Sequence, residues 1–141
     1  MDTEELKQLL HALWLIFPAY VANGSPVVGA KILRDAGFRL HPVDCGKNFV
    51  DGRRVFGDNK TWEGLAVGVL MGVVTGVLQK VAVGGGGVYV VRAVILSVGA
   101  MLGDLIGAFV KRRLGMKPGD PLPILDQLLF LFTAIPIAMF L

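Results

Sequence analysis

Long apolar runs alternate along this chain with short, densely charged ones. Residues 9–22 are apolar apart from His11 and Tyr20, and 61–83 carry Glu63 and Gln79-Lys80 near their ends. Residues 88–110 are interrupted by Arg92 and Asp104, and 124–141 by Asp126 and Pro136. With a few flanking residues, each run reaches the roughly 20 residues that cross a bilayer as a helix. The pattern predicts an all-α integral membrane protein with four transmembrane helices (five possible), over about 6–23, 61–83, 88–110 and 123–141. Loops over 24–60 and 111–122 complete a single domain, 1–141. Asn23-Gly24-Ser25-Pro26 is expected to end the first helix, since proline disfavours helical geometry at the residue before it. Residues 27–36 then read as a short amphipathic or re-entrant helix with Lys31 and Arg34 on its polar side.

Within 61–83, Gly64, Gly68, Gly72 and Gly76 recur every fourth residue. Such a stripe lets a neighbouring helix approach closely, and packing is the role expected of it. Gly84 to Gly87 form a flexible link. Trp14 and Tyr20 suit a helix near the membrane interfaces, as does His11.

Composition agrees with this pattern. Hydrophobic residues make up 54% of the chain and charged residues 18%, below the roughly 25% of a soluble domain. The single cysteine, Cys45, forms no internal disulfide and reads as a small apolar filler. The net charge of +3 is no footprint for a nucleic acid polymer; its distribution says more. Lys31, Arg34, Arg39, Lys47, Arg53, Arg54 and Lys60 lie in 24–60, and Lys111, Arg112, Arg113 and Lys117 in 111–117. The positive-inside rule makes that side cytoplasmic and puts the N-terminus outside, so that long polar cytoplasmic loops form the site. Residues 1–7 are acidic, with Asp2, Glu4 and Glu5 against Lys7, unlike the basic start of a cleaved signal.

The chemistry sits where charge meets the apolar runs. A carboxylate inside a span costs about 2.5–3.5 kcal/mol to insert, so Asp104 is a functional candidate, and Asp126 meets the same argument. Two carboxylates at neighbouring helix ends can hold Mg²⁺, which takes a few carboxylates together with substrate phosphates. The alternative for Asp104 is an ion pair with Lys111 or Arg112. Lys60, Lys111, Arg112 and Arg113 suit a triphosphate, arginine as a planar fork and lysine as a point charge. Asn23 and Asn59 have amides able to read a base or ribose. No P-loop and no GxGxxG following a strand occurs, no His/Cys pattern suits zinc, and Ser25 and Ser97 lack a partnered histidine motif.

Three blocks together resemble the archaeal CDP-archaeol synthases, relatives of the CDP-diacylglycerol synthases. The first is Pro18-Ala19-Tyr20-x-Ala22-Asn23-Gly24-x-Pro26-Val27. The second is Asp44-x-Gly46-Lys47-x-Phe49-x-Asp51-Gly52-Arg53-Arg54-x-x-Gly57-Asp58-x-Lys60-Thr61. The third is Gly103-Asp104-Leu105-Ile106-Gly107-x-Phe109-x-Lys111-Arg112-Arg113, followed by Leu125-Asp126-Gln127. The resemblance implies transfer of CMP from CTP to a prenylated glycerol phosphate lipid, 2,3-bis-O-geranylgeranylglyceryl phosphate, with Mg²⁺ and release of pyrophosphate. It implies catalytic roles for Lys60, Asp104, Lys111, Arg112 and Asp126, with metal on Asp104 and Asp126. Nucleotide binding then falls to Asn23, Gly24, Ser25, Pro26, Gly57, Asp58, Asn59, Lys60, Thr61, Lys111, Arg112 and Arg113. Against the wider superfamily's signature, Lys111-Arg112 and Lys117-x-x-Asp120 are a loose fit, and Asp126 is followed by Gln127 where the relatives have arginine.

Two other readings compete. A CDP-alcohol phosphotransferase resembles a DGxxAR pattern, of which Asp51-Gly52 is the start, but no Ala-Arg pair follows at that spacing. A small membrane transporter accounts for Asp104 and Asp126 but leaves the clustered basic loops unexplained. Selective binding of CTP separates the synthase from a transporter.

Overall fold

The computed structural model describes residues 2–124 and, after them, Asp126, Leu128, Leu129 and Phe132. Among the described residues three helices are long and apolar enough to cross a membrane: α1, Thr3–Asp35; α2, Trp62–Val83; and α3, Val88–Arg113. Three is a correction to the four expected. The fourth expected span, 123–141, lies outside the described residues except at Pro123, Ile124 and the four positions just named.

The first span differs in kind. α1 is 33 residues long and runs straight through Asn23-Gly24-Ser25-Pro26, absorbing the separate short helix expected over 27–36. Its start is fixed locally. The Asp2 side chain accepts from the Glu5 amide, and the Glu5 side chain accepts from the Asp2 amide. Its continuity is fixed from a distance. A proline within a helix removes the donor that would serve the carbonyl four residues earlier. For Pro18 that carbonyl is Trp14, and the Gln79 Nε2 of α2 donates to it instead. For Pro26 it is Ala22, against which Gly68 packs so closely that a Cβ there would lie 2.9 Å from the oxygen. That approach allows a Cα–H···O contact. Neighbouring helices thus restore what the prolines take away, as membrane helices commonly arrange.

The glycine stripe of α2 lies between the other two helices. Gly64, Gly68, Gly72 and Gly76 are buried, facing Pro18, Ala22 and Pro26 of α1 and Ala93, Ser97 and Met101 of α3. Both partner rows also repeat every four residues, so three ridges mesh with backbones in near contact. The buried core is correspondingly small-grained: Ala19, Ala22, Leu96, Ala100 and Met101, with Leu65 and Val69 packed against it. Large apolar side chains such as Leu10, Phe17, Val28 and Leu78 instead face outward. Inverted hydrophobicity of this kind is what a bilayer solvates.

α2 ends at Gly84, whose left-handed conformation (φ 66°) closes the helix and turns the chain into α3. The pairing of Gly76 with Ala93 and of Gly68 with Met101 makes α2 and α3 antiparallel, and Gly72 against Pro18 does the same for α1 and α2. The C-terminal ends of α1 and α3 and the N-terminal end of α2 therefore share one side of the bundle. Both charged loops emerge there.

Candidate active site

The loop between α1 and α2 is folded around Asp44. Its side chain accepts from the amides of Gly46, Phe56 and Gly57 and from the Nε and Nη2 of Arg54, at 2.6 to 3.2 Å. Burial works against ionisation of Asp44, but the Arg54 guanidinium and the three amides outweigh it. Together they hold the carboxyl well below the usual carboxylate range. The hydrogen bond to Asp44 in turn raises the affinity of Arg54 for its proton. Arg54 also pairs with the exposed Asp58 at 2.6 Å. Gly57 has φ 98°, and a side chain there would press on Pro118 and approach Arg112. Glycine thus lets the loop lie flat against the end of α3. Cys45 is exposed at φ 50° in this loop, a turn position and not the expected apolar filler.

A second set of contacts fastens the loop to α3. The Arg53 Nη1 donates to the Arg113 carbonyl at 2.6 Å, and the Arg113 Nη2 donates to the Arg54 carbonyl at 2.6 Å. The Arg113 guanidinium lies 4.9 Å from the Phe49 ring centroid and 4.8 Å from that of Phe109, and it pairs with Asp51. Cation–π contact and two carbonyls commit that side chain to holding the loop.

This scaffold delivers Lys60. Its backbone accepts from Val43 and donates to Gly57. Its Nζ lies 2.7 and 2.6 Å from the two carboxylate oxygens of Asp104 on α3. Asp104 is thus ion-paired, but neither with Lys111 nor with Arg112. Lys111 pairs with Asp126 at 2.5 Å and also donates to the Asp120 carbonyl at 3.1 Å.

Two cavities flank the Lys60–Asp104 pair. One, of about 250 Å³, is lined by Asn23, Pro26, Ala30 and Arg34 of α1, with Asn59, Thr61 and Gly64 opposite. The other, of about 160 Å³, is lined by Lys111, Arg112, Gly119, Asp120 and Asp126. Val27, Asn59, Lys60 and Asp104 border both. Arg112 is 6% exposed and donates through Nη2 to the Lys117 carbonyl at 2.8 Å. Its Nε and Nη1 are buried without a hydrogen-bond partner among the described residues. A buried, half-satisfied guanidinium is costly unless an anion completes it.

Of the residues expected at the site, Asn23, Pro26, Asn59, Lys60, Thr61, Asp104, Lys111, Arg112 and Asp126 line these cavities. Thr61 also caps α2, accepting from the Gly64 amide at 3.2 Å. Gly24 and Ser25 do not line them. Because 23–26 are helical, these two turn to the opposite face of α1, toward a shallow apolar groove with Tyr20, Val28 and Met71. Gly57 sits behind Arg112, Asp58 points to Arg54, and Arg113 lies in its aromatic sandwich. The sequence reading did not single out Asp44 as a site residue or Arg34 as a lining residue. Asp44 heads the second resemblance block. Arg34 becomes readable once α1 is continuous, since 23, 27, 30 and 34 share one helical face.

A metal ion fits the donor set in one respect. Among the described residues there is no group of three or more His, Cys, Asp or Glu side chains placed to hold a metal. Asp104 and Asp126 nevertheless line the same cavity, and Mg²⁺ characteristically takes one or two carboxylates with phosphate oxygens and water. The lysines paired with them are flexible point charges that a phosphate can draw away.

Residues 5–141 match the family described as CarS-like, CDP-archaeol synthase. A CDP-archaeol synthase of Thermofilum pendens is 54% identical over 123 residues, covering 87% of this chain and 58% of the relative. One of Pyrobaculum arsenaticum is 53% identical over 120 residues, covering 85% and 69%. This chain thus spans a little over half the length of the first relative and about two thirds of the second. A solved structure of an intramembrane enzyme for archaeal membrane lipid biosynthesis is 43% identical, with a TM-score of 0.80 over 92% of this chain and 77% of that one. Three apolar helices and that likeness make this a membrane protein.

Proposed function

The chain belongs to the CDP-archaeol synthase family, and from that membership we propose that it transfers CMP from CTP to 2,3-bis-O-geranylgeranylglyceryl phosphate, releasing pyrophosphate. The observation that carries the reading is the pair of cavities meeting at Lys60 and Asp104. One has amides suited to a base or ribose, and the other has cations suited to phosphates.

In this reading the nucleoside lies with Asn23 and Asn59, and the β- and γ-phosphates lie against Lys111 and Arg112. The α-phosphate is then beside Lys60. An oxygen of the lipid phosphate forms a bond to the α-phosphorus while the bond from that phosphorus to the bridging oxygen breaks, and pyrophosphate leaves. No protein nucleophile is needed. The lipid phosphate is largely ionised near neutral pH, so the chain's own contribution is positioning and charge neutralisation. Arg112 supplies unpartnered N–H groups where the leaving pyrophosphate gathers charge. Lys60 and Lys111 leave their carboxylates for phosphate oxygens, and Asp104 and Asp126 are the residues that would hold Mg²⁺. That ion would supply charge neutralisation across the phosphates. The excess of lysine and arginine in its loops supports a cytoplasmic position for this end of the bundle.

The test is CMP transfer in detergent micelles with CTP, Mg²⁺ and the geranylgeranylated glycerol phosphate. Labelled lipid product that disappears with EDTA supports the reading. Failure to bind CTP in preference to ATP, GTP and UTP, with no product, would discard it.

A further inference from the structure

We propose that Arg34 binds the phosphate of the lipid substrate and steers it to the reacting phosphorus, an inference that rests on the lipid-phosphate reading above. Four cations line the two cavities: Arg34, Lys60, Lys111 and Arg112. Lys60 and Lys111 already hold carboxylates, and Arg112 is buried against the Lys117 carbonyl. Arg34 differs from all three. It is exposed, and its guanidinium makes no hydrogen bond or ion pair among the described residues. A free planar fork at a cavity wall suits a phosphate oxygen pair.

Arg34 lies eleven residues, roughly 16 Å along α1, beyond the Asn23 amide assigned to the nucleoside. α1, at 33 residues, is roughly 50 Å long, against a hydrocarbon core of roughly 30 Å. Arg34 lies in its last turn, on the side of the bundle where both charged loops emerge. The wall below it is apolar and open. Val27, which borders both cavities, is 76% exposed, and Ala30 lines the wall between Val27 and Arg34. Prenyl chains can lie along this face while their phosphate meets the guanidinium above. A nucleotide gains nothing from that apolar approach, whereas a lipid requires it. Arg34 and Lys60 line the same cavity, so a phosphate handed from one to the other arrives where the α-phosphate sits.

The experiment compares wild type with Arg34→Ala and Arg34→Lys in the full chain. Binding of the geranylgeranylated glycerol phosphate and of the corresponding uncharged alcohol is followed by native mass spectrometry, CTP binding by calorimetry, and the lipid KM by turnover. Loss of one charge-assisted contact should weaken phosphate-lipid binding and raise its KM by about tenfold or more in Arg34→Ala. Binding of the alcohol and of CTP should stay within about twofold, and Arg34→Lys should recover part of the loss. Unchanged lipid binding in Arg34→Ala, or a fall in CTP affinity in its place, would overturn the assignment. Wild-type protein that binds the phosphate lipid through Arg34 yet makes no CDP-lipid would sink the transfer reaction and leave this site standing.

Discussion

Lys60 and Asp104, 44 positions apart in the chain, meet as a two-oxygen ion pair at 2.6 and 2.7 Å. Each side chain is only about a quarter exposed. The pair joins the loop before α2 to the interior of α3 and forms the common wall of both cavities. It also explains how a carboxylate near the end of a span is tolerated: its counter-charge comes from a loop folded back over the helix end. In the proposed reaction the same contact is exchangeable, with phosphate competing for the lysine.

Exchange has a kinetic signature. Asp104→Asn and Asp126→Asn should each lower turnover by about a hundredfold or more while the protein remains folded, as loss of charge stabilisation at a phosphoryl centre does. Near-normal turnover in both would remove the metal proposal. Lys60→Ala and Arg112→Ala should each weaken CTP binding by about tenfold. Unchanged affinity in calorimetry would mean that these charges serve topology.

Asp44 makes the loop sensitive to acid. Its carboxyl titrates below the unfolded value of about 3.9, so its contribution is fully present above that pH and is lost as pH falls through the folded pKa. Asp44→Asn should therefore be less stable than wild type at pH 7, by roughly 3 kcal/mol for a broken buried pair. The gap should narrow toward pH 3. Amide exchange of residues 44–58 at the two pH values reads this directly, and a gap independent of pH would refute it.

The proline partners can be tested by rescue. Gln79→Leu strands the Trp14 carbonyl and should cost about 1–3 kcal/mol, the penalty of a buried polar group without its partner. Pro18→Ala restores an amide four residues on from Trp14. Thermal unfolding should therefore show the double variant more stable than Gln79→Leu alone. If the two losses simply add, the account of α1 fails.

Packing at the glycine stripe leaves no room for a methyl group. In Gly72→Ala the new Cβ would meet the Ser97 side chain and the Pro18 carbonyl, the latter at 3.0 Å. A loss of about 1–3 kcal/mol is expected from overpacking. Gly24→Ala on the same bundle meets nothing within 4 Å and should be neutral. Equal melting temperatures for the two variants would contradict the meshed-ridge geometry.

Much of the site was legible from residue type and place. Asp104 and Asp126 stand out because charge is expensive in a span, and the basic residues near them because phosphate needs them. Their partners were not legible. Asp104 is closer in the chain to Lys111 and Arg112, which fall on its own helix, than to Lys60, which reaches it only because Asp44 gathers the loop. Gly24 and Ser25 look like part of a binding loop until 23–26 prove helical, when the run divides between two faces of α1.

By itself, the sequence determined that the chain is helical and membrane-bound, where α2 and α3 lie, and which end of the bundle carries charge. Those properties follow from apolar run length, glycine spacing and the placement of lysine and arginine, all of which act over a few residues. Only the tertiary structure decided that α1 crosses two prolines unbroken, how the lysines and aspartates pair, and that Arg34 has no hydrogen-bond or ion-pair partner among the described residues. A proline ends a helix only if the carbonyl it strands finds no other donor, and here Gln79 donates from 65 residues away. Ion pairing likewise depends on which charges the fold brings within hydrogen-bond reach, a matter of three dimensions that spacing along the chain does not contain.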